Sequence, residues 1–384
     1  MLRSMPRIAI AAAGFTAMLN MYAPQAVLPL MSVEFGAGPA VISQIMTVNA
    51  LAVALTAPFT GVVADVLGRR FVIAIAIALL VIPGVMMSFS DGLQALLFWR
   101  FVQGLLLPPI FAVSVAYIGA EWPAREATGV TGTFIAATAV GGFSGRMVTA
   151  ALAEPVGWRN ALLADAAITA LCALAVILLL PRERSFVRGG TTLRGSLRQM
   201  LRHLRNPRLL ATFGVGFGIM FNFIAAFTYL GFRLAAPPFN LSTAAIGAVF
   251  VTYLISIVTA PFTGRLVSTF GRRNFGTIAL AVWTCGILLT LAPTLWVIVL
   301  GLFMITGAGF YVQVCCQSFV ATNVREGNSS AVGLYVTSFY IGGSFGGLIP
   351  GLLWNSTGWS GVVALIVAML LIMAGFVRFA WQDA

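Results

Sequence analysis

The sequence predicts an all-α membrane protein of 12 transmembrane helices in two six-helix bundles, and three observations predict it. Of 384 residues, 60% are hydrophobic and 8% charged. A soluble chain has no way to bury that much apolar surface, so lipid must be part of its solvent. Apolar stretches of about 20 residues, the length of helix that crosses a bilayer, recur from end to end. Finally, the chain repeats itself. TAPFTG at Thr56–Gly61 returns at Thr259–Gly264, and GRR at Gly68–Arg70 returns at Gly271–Arg273, both at an offset of 203 residues. Gly157-Trp158 recurs as Gly358-Trp359, and GGFSG at Gly141–Gly145 as GGSFG at Gly342–Gly346. The chain is two copies of one unit of roughly 190 residues.

Taken in order, the apolar stretches place spans at 8–31, 42–64, 71–90, 93–119, 128–152 and 159–180. They resume at 209–233, 242–266, 274–292, 294–319, 330–354 and 360–380. Each must be helical, because backbone polar groups in lipid have to be satisfied within the segment. The organisation is a first bundle at 1–180, a connector at 181–208 and a second bundle at 209–384. Arg3 and Arg7 before an apolar run imitate a signal peptide, but the run reaches Met31, so it reads as an uncleaved first span.

Basic residues set the orientation. The chain has no lysine; its 22 basic residues are arginines. With a cytoplasmic N-terminus, 18 of them fall on the cytoplasmic side or in adjoining span ends, among them Arg3, Arg125, Arg184, Arg188, Arg194 and Arg325. The opposite loops carry Glu34, Asp91 and Glu154, with Arg159 beside them. Both termini are then cytoplasmic, as expected in a bacterial inner membrane. In the connector, Leu193, Leu197, Met200, Leu201 and Leu204 recur at helical spacing between arginines. That is an amphipathic helix suited to a lipid surface, or a tether that fixes topology. His203, the only histidine, is expected there in water.

The net charge of +12 does not mark a nucleic-acid binder, because the arginines form no single patch interleaved with aromatic residues. Cys172, Cys285, Cys315 and Cys316 lie inside apolar runs with no metal or disulfide spacing, so they read as reduced core residues. Neither a nucleophile–base pair nor a phosphate-cradling loop emerges. The expectation is therefore a chain that is not an enzyme, holds no metal or cofactor, and works as a monomer.

Three first-half segments carry chemistry. GVVADVLGRR, Gly61–Arg70, closes the second span and turns into the third. Gly61 is expected to let helices approach closely. Asp65 ends a helix with Arg69 and Arg70 just beyond, so its carboxylate can bridge to an arginine or to a helix N-terminus. The second copy has Ser268 in place of the acid, before Gly271, Arg272 and Arg273. RFVQG, Arg100–Gly104, puts an arginine about seven residues inside the fourth span, which is costly unless it faces protein or water; Gln103 shares its face. GGFSGRM, Gly141–Met147, sets Gly141 and Gly145 four apart, a face for tight helix crossing.

The first segment resembles the signature loop of the major facilitator superfamily. The second is similar to the arginine–glutamine–glycine signature of its proton-coupled members. The third resembles the glycine-rich fifth-span signature of drug:proton antiporters, with Gly142-Phe143 where Gly-Pro is usual. The resemblance covers the whole chain and implies the major facilitator fold. It implies a secondary transporter of small organic molecules, most simply a proton-coupled exporter working by alternating access. A facilitated carrier or importer is the alternative, and a sensor on a transporter scaffold a remote one. Gly61, Asp65, Gly68, Arg69, Arg70, Gly271, Arg272 and Arg273 would act in gating. In this superfamily spans one, four, seven and ten line the path, which implies Asn20, Gln103, Phe221, Asn222, Tyr311, Gln313 and Gln317 as cavity residues.

Proton coupling would fall to Arg100, Arg146 and Asp165. An arginine keeps its proton, so Arg100 would act through an acid, and Asp165 is the most deeply placed. Arg146 and Asp165 each lie about six residues inside consecutive spans, roughly 10 Å deep at 1.5 Å per residue. They are expected to pair, since a buried pair is easier to tolerate than either charge alone. The implied partners are a small-molecule substrate, protons and membrane lipids.

Overall fold

The computed structural model describes residues 5–183, 193–259, 262–324 and 328–381. Among these, every secondary-structure element is helical. Arg3, Arg184, Arg188 and Arg325 lie outside the described residues, as do the side chains of Arg125, Arg194, Leu193 and Leu197.

Span one runs as Met5–Tyr22, a 3-10 turn at Ala23–Val27 and Leu28–Glu34. Span two is Pro39–Ile42 and Gln44–Leu67, span three Arg69–Ser88 and span four Leu93–Glu121. Spans five and six form Ala124–Leu179, broken at Gly157, whose φ of 82° suits glycine alone. The connector helix is Leu193–His203. Span seven is Pro207–Ala235, capped by the Asn206 side chain. Span eight is segmented as Thr243–Val249, a 3-10 turn at Phe250–Leu254, Ile255–Thr259 and Thr263–Phe270. Span nine is Arg272–Leu289 and span ten Leu295–Asn323. Spans eleven and twelve form Asn328–Ala380, broken at Gly358 with φ 59°. The two glycine breaks are the repeated Gly-Trp pairs of the sequence.

The core is split in two. One buried apolar cluster runs from Ala9 to Leu180 and takes in Met220, Ile224, Phe232 and Tyr340. The other runs from Leu209 to Trp381 and takes in Ala26 and Ala150. Residues such as Leu171, Leu178, Leu352 and Leu371 stand exposed around the outside, as helices facing lipid require.

The repeated glycines do the same job twice. A Cβ on Gly141 would lie 2.1 Å from the Phe15 carbonyl oxygen, and one on Gly145 2.5 Å from that of Leu19. A Cβ on Gly342 would lie 2.0 Å from the Phe217 oxygen, and one on Gly346 2.3 Å from that of Phe221. Spans five and one, and spans eleven and seven, therefore cross backbone to backbone, which only glycine allows.

Several expectations change. Gly61 is exposed with nothing near it, so it brings no helices together. Cys285 is exposed rather than in the core. His203 is 9% exposed, because the connector helix turns it inward beside Met200 while Leu201 and Leu204 face out. Arg233, at the end of span seven, lies at the same end of the bundle as Arg159. It donates to the carbonyls of Thr290, Leu291 and Ala292 at 2.6–3.0 Å, capping the end of span nine.

Candidate functional site

The densest polar cluster lies inside the first half, around Arg100. Proline placement explains how a guanidinium is accommodated there. Pro24 has no N–H, so the carbonyl of Asn20, four residues earlier, lacks its helical partner. The 3-10 turn that follows likewise releases the carbonyl of Met21. Arg100, fully buried, takes up both. Its Nη1 donates to Asn20 O at 3.0 Å, its Nη2 to Met21 O at 2.9 Å and its Nε to Ile45 O at 3.1 Å. Nη1 also donates to Gln103 Oε1. Gln103 Nε2 donates to Asn20 Oδ1 at 3.0 Å, and Asn20 Nδ2 to Thr169 Oγ1 at 2.8 Å. Asn49 Nδ2 holds the Arg100 carbonyl at 3.0 Å. Spans one, two, four and six are tied together by neutral acceptors around one cation.

Asp165 sits one turn from Thr169, whose hydroxyl donates to the Asp165 carbonyl at 2.7 Å. The Asp165 carboxyl reaches neither arginine. Its Oδ2 meets the Thr149 hydroxyl, and its Oδ1 is buried without a partner. The Thr149 hydroxyl also faces the Gly145 carbonyl. A hydroxyl has one hydrogen to give. A proton on Asp165 Oδ2 satisfies the whole chain: Oδ2–H donates to Thr149, and Thr149 donates to Gly145.

The expected Arg146–Asp165 pair is therefore not made. Thr149, one turn beyond Arg146, is what faces Asp165, while Arg146 points out of the bundle towards the second half. Its Nε donates to Gln25 Oε1 at 2.8 Å, its Nη1 to Gly142 O at 3.0 Å, and its Nη2 has no partner. Three rings surround it, with Tyr22, Tyr253 and Phe250 centred 3.9, 4.3 and 4.7 Å from the guanidinium carbon. Aromatic faces offset part of the cost of a buried cation. Gln25 completes a bridge between halves, its Nε2 donating to Thr228 Oγ1 at 3.1 Å. Farther along the same contact face, the Ser43 and Tyr229 hydroxyls lie 2.8 Å apart, and Glu154 accepts from the Ala244 amide at 3.0 Å. The halves are thus latched towards the end opposite the connector.

Comparison with known proteins decides what this architecture is. The sequence profile of the Major Facilitator Superfamily matches residues 10–237 and 220–384. The chain belongs to that superfamily. It is 29% identical over 365 residues to the inner membrane transport protein YnfM of Escherichia coli K12, covering 95% of this chain and 88% of that one. It is 24% identical over 363 residues to the purine ribonucleoside efflux pump NepI of Escherichia coli O127:H6, covering 92% and 88%. Its fold is similar to a bacterial homologue of the human lysosomal transporter Spinster in an inward-facing conformation (TM-score 0.79, 16% identity, covering 100% of this chain and 99% of that one). It is also similar to the nucleoside transporter NupG (TM-score 0.77, 16% identity, covering 98% and 100%). The molecule is an integral membrane transporter with the major facilitator fold.

The signature loop of this transporter is looser than the network around Arg100. Asp65 Oδ1 and Arg69 Nη2 lie 3.5 Å apart, each about a third exposed. Arg70 reaches back to the end of span six, its Nε donating to Leu180 O at 2.7 Å and its amide to the Glu183 carboxylate. Gly68 and Gly271 take φ of 92° and 73°, and each separates two helices. In the second copy, Arg272 donates to Ser318 Oγ at 3.3 Å and Arg273 is half-buried.

The expected cavity residues are not gathered round one path. Asn20 and Gln103 are spent on Arg100. Asn222 is fully buried, turned into the second half onto Met373 Sδ at 3.4 Å, with its Oδ1 unpartnered. Phe221 stacks on Phe217, and Tyr311 packs edge-on against Phe275 of span nine. Gln313 is half-buried and Gln317 exposed. The residues that do meet between halves include Phe111 and Tyr340, 6.0 Å apart, with Tyr22, Gln25 and Tyr253 of the latch. A proline four residues after Asn20 and a glutamine next to it were the available sequence signals for that region.

Proposed function

We propose that the transporter exports small organic molecules in exchange for protons, by alternating access, with Asp165 as the proton-binding group. The observation that carries this reading is the carboxyl itself. It is buried, no cation touches it among the described residues, and a proton on Oδ2 completes the hydrogen-bond chain through Thr149, leaving only the neutral carbonyl oxygen Oδ1 without a partner. Burying an isolated carboxylate is costly, so losing that proton has to be coupled to a rearrangement that brings water or a partner. Arg100 then acts by organising spans one, two, four and six around Asn20 and Thr169, the link that leads to Asp165.

Similarity to the purine ribonucleoside efflux pump NepI supports the outward direction and makes purine ribonucleosides the first substrates to try. Aromatic groups between the halves, Phe111 and Tyr340 among them, suit a ligand with a flat apolar body. The arginine-rich connector end supports cytoplasmic termini in a bacterial inner membrane. The molecule would work as a monomer.

The test uses proteoliposomes with an acidic lumen and external labelled inosine, alongside a panel of sugars and neutral drugs. Proton exit should drive substrate into the lumen. Asp165→Asn should abolish that accumulation and leave equilibrium exchange intact. Transport that ignores the imposed gradient, or uphill accumulation by Asp165→Asn, would establish a facilitated carrier instead.

A further inference from the structure

Arg146 is a cation that the fold does not need. GGFSG at Gly141–Gly145 matches GGSFG at Gly342–Gly346, so Arg146, the next residue, corresponds to Gly347. The second half makes the same backbone crossing with no side chain at that place, and a Cβ on Gly347 would lie 2.4 Å from Thr47 Oγ1. Arg146 is nonetheless only 1% exposed. The ion pairs among the described residues join other arginines to Glu126, Asp65 and Glu34. The acceptors that Arg146 does have, Gln25 Oε1 and the Gly142 carbonyl, are neutral, and Nη2 has no hydrogen-bond partner. The Tyr253 hydroxyl, which also faces the guanidinium, is neutral as well. Burying a charge without a counter-ion is costly, and aromatic faces offset only part of it.

The cage around this cation is shared between the halves. Tyr22 comes from span one, whereas Phe250 and Tyr253 come from the 3-10 turn of span eight. Behind them the second half continues in rings, with Phe227 4.6 Å from Tyr253 and 5.5 Å from Phe250. Both hydrogen bonds that hold the guanidinium, from Gly142 on its own helix and Gln25 on span one, belong to the first half. Parting the halves therefore removes two of the three rings and leaves the cation in place with Nη2 open. A molecule with a flat aromatic body and a negative oxygen restores what is lost. Its ring takes the place of the departed ones, and its oxygen accepts from Nη2 in a charge-assisted bond. One guanidinium with one open nitrogen matches a single negative charge, which is a carboxylate.

We propose that Arg146 recognises the carboxylate of an aromatic organic acid, and that such acids are the substrate class. Because a movement that parts the halves is what opens the cage, this site rests on alternating access as proposed above; it does not depend on proton coupling or on direction.

The full-length protein in detergent is titrated by calorimetry at neutral pH with benzoate, with indole-3-acetate, with the uncharged amide of each, with inosine and with sodium chloride. At least one acid should bind, roughly 10- to 100-fold more tightly than its amide, as a hydrogen bond to a charged group predicts. Arg146→Gln should lose that preference and treat acid and amide alike. Arg146→Lys should keep part of it, because the charge remains on a single nitrogen. Arg265→Gln, which removes an exposed arginine of span eight, should leave the preference unchanged. Melting without ligand checks that each variant is folded. If Arg146 only bolts the halves together, the unaltered protein will bind acid and amide equally. That result would overturn the proposal, as would failure of both acids to bind, full acid preference in Arg146→Gln or an equal response to chloride. Failure here is separable from failure of proton exchange. Gradient-driven inosine transport by a protein that binds neither acid would leave export standing and remove the carboxylate. Acid preference through Arg146 in a protein that ignores the gradient would do the reverse.

Discussion

The two halves share a fold and differ in what they bury. At an offset of 202 residues, Arg100 corresponds to Leu302, Gln103 to Ile305 and Gly104 to Thr306. Leu302 and Ile305 are fully buried. Where the first half surrounds a cation with carbonyls, the second has aliphatic packing. It has an aromatic cluster as well, in which Phe223 and Trp283 lie 5.0 Å apart and Phe227 and Tyr253 4.6 Å. The asparagine pair makes the contrast sharpest. Asn20 spends its amide on Gln103 and Thr169; Asn222, at the matching position, finds only a methionine sulfur and leaves its oxygen bare. The fold therefore does not require the polar network. Only one half carries it, and that is also the half with the unpaired acid, Asp165. Chemistry is concentrated there, and the second half supplies a largely apolar partner.

Breaking the network should have the largest effect. Arg100→Met strands the carbonyls of Asn20, Met21 and Ile45 together with Gln103. At about 1–3 kcal/mol for each buried group left unsatisfied, the four together should cost at least roughly 4 kcal/mol. Thr306→Val in the second half removes one hydroxyl, whose single hydrogen lies within reach of Leu302 O at 2.8 Å and Thr252 O at 3.0 Å, and should cost about 1 kcal/mol. Asn20→Leu should follow Arg100→Met, whereas Asn222→Leu should be close to neutral, since it removes an orphaned oxygen. Melting of the purified variants orders them. A destabilising Asn222→Leu as large as Asn20→Leu would mean the halves are more alike than the bonding shows.

Much of this architecture is legible in the sequence, and the rest fails for a physical reason. Spans, breaks and glycine crossings follow from hydropathy, from Gly157 and Gly358, and from the repeated glycines, because each depends on local length or local backbone. Arg100 with Gln103 is readable from helical spacing. The partner of Arg146 is not. Equal depth placed it beside Asp165, but depth fixes height along the bundle and leaves rotation about the helix axis open. Thr149 took the inward direction and Arg146 the outward one. The latch is invisible for the same reason: Gln25 and Thr228 are polar residues in two distant spans until rotation puts them face to face.

That latch offers the next test of the comparison, since it is where the polar half touches the apolar one. Gln25→Ala removes the bonds to Arg146 and Thr228 together. Interhelical hydrogen bonds in membranes average about 0.6 kcal/mol, so losing two, with a buried cation less well held, should cost about 1–2 kcal/mol in the latched state. The population open at the end opposite the connector should rise roughly 5- to 30-fold. Spin labels on the ends of spans one and seven report it as a longer distance. Unchanged distance distributions would show that the aromatic box around Arg146 holds the halves without Gln25.

The smallest expected effect concerns the two loop copies. The first pairs Asp65 with Arg69 across Gly68 at 3.5 Å; the second has Ser268 ahead of Arg272 across Gly271, the same register. Ser268→Asp would restore the missing acid. Ser268 is exposed and its hydroxyl donates only to the Arg265 carbonyl within its own helix, at 2.8 Å, so little is lost. An acid four residues before an arginine gains about 0.3–0.5 kcal/mol when exposed, and salt weakens it. The cost is on the other side: Arg272 would have to leave Ser318 and the Phe319 ring, whose centroid lies 5.5 Å from its guanidinium carbon. We therefore expect a melting-temperature rise of a degree or less at low salt, vanishing at high salt. A clear loss of stability would mean that the second copy is built around Arg272 facing span ten, so that the missing acid is a feature of this half and not a vacancy in it.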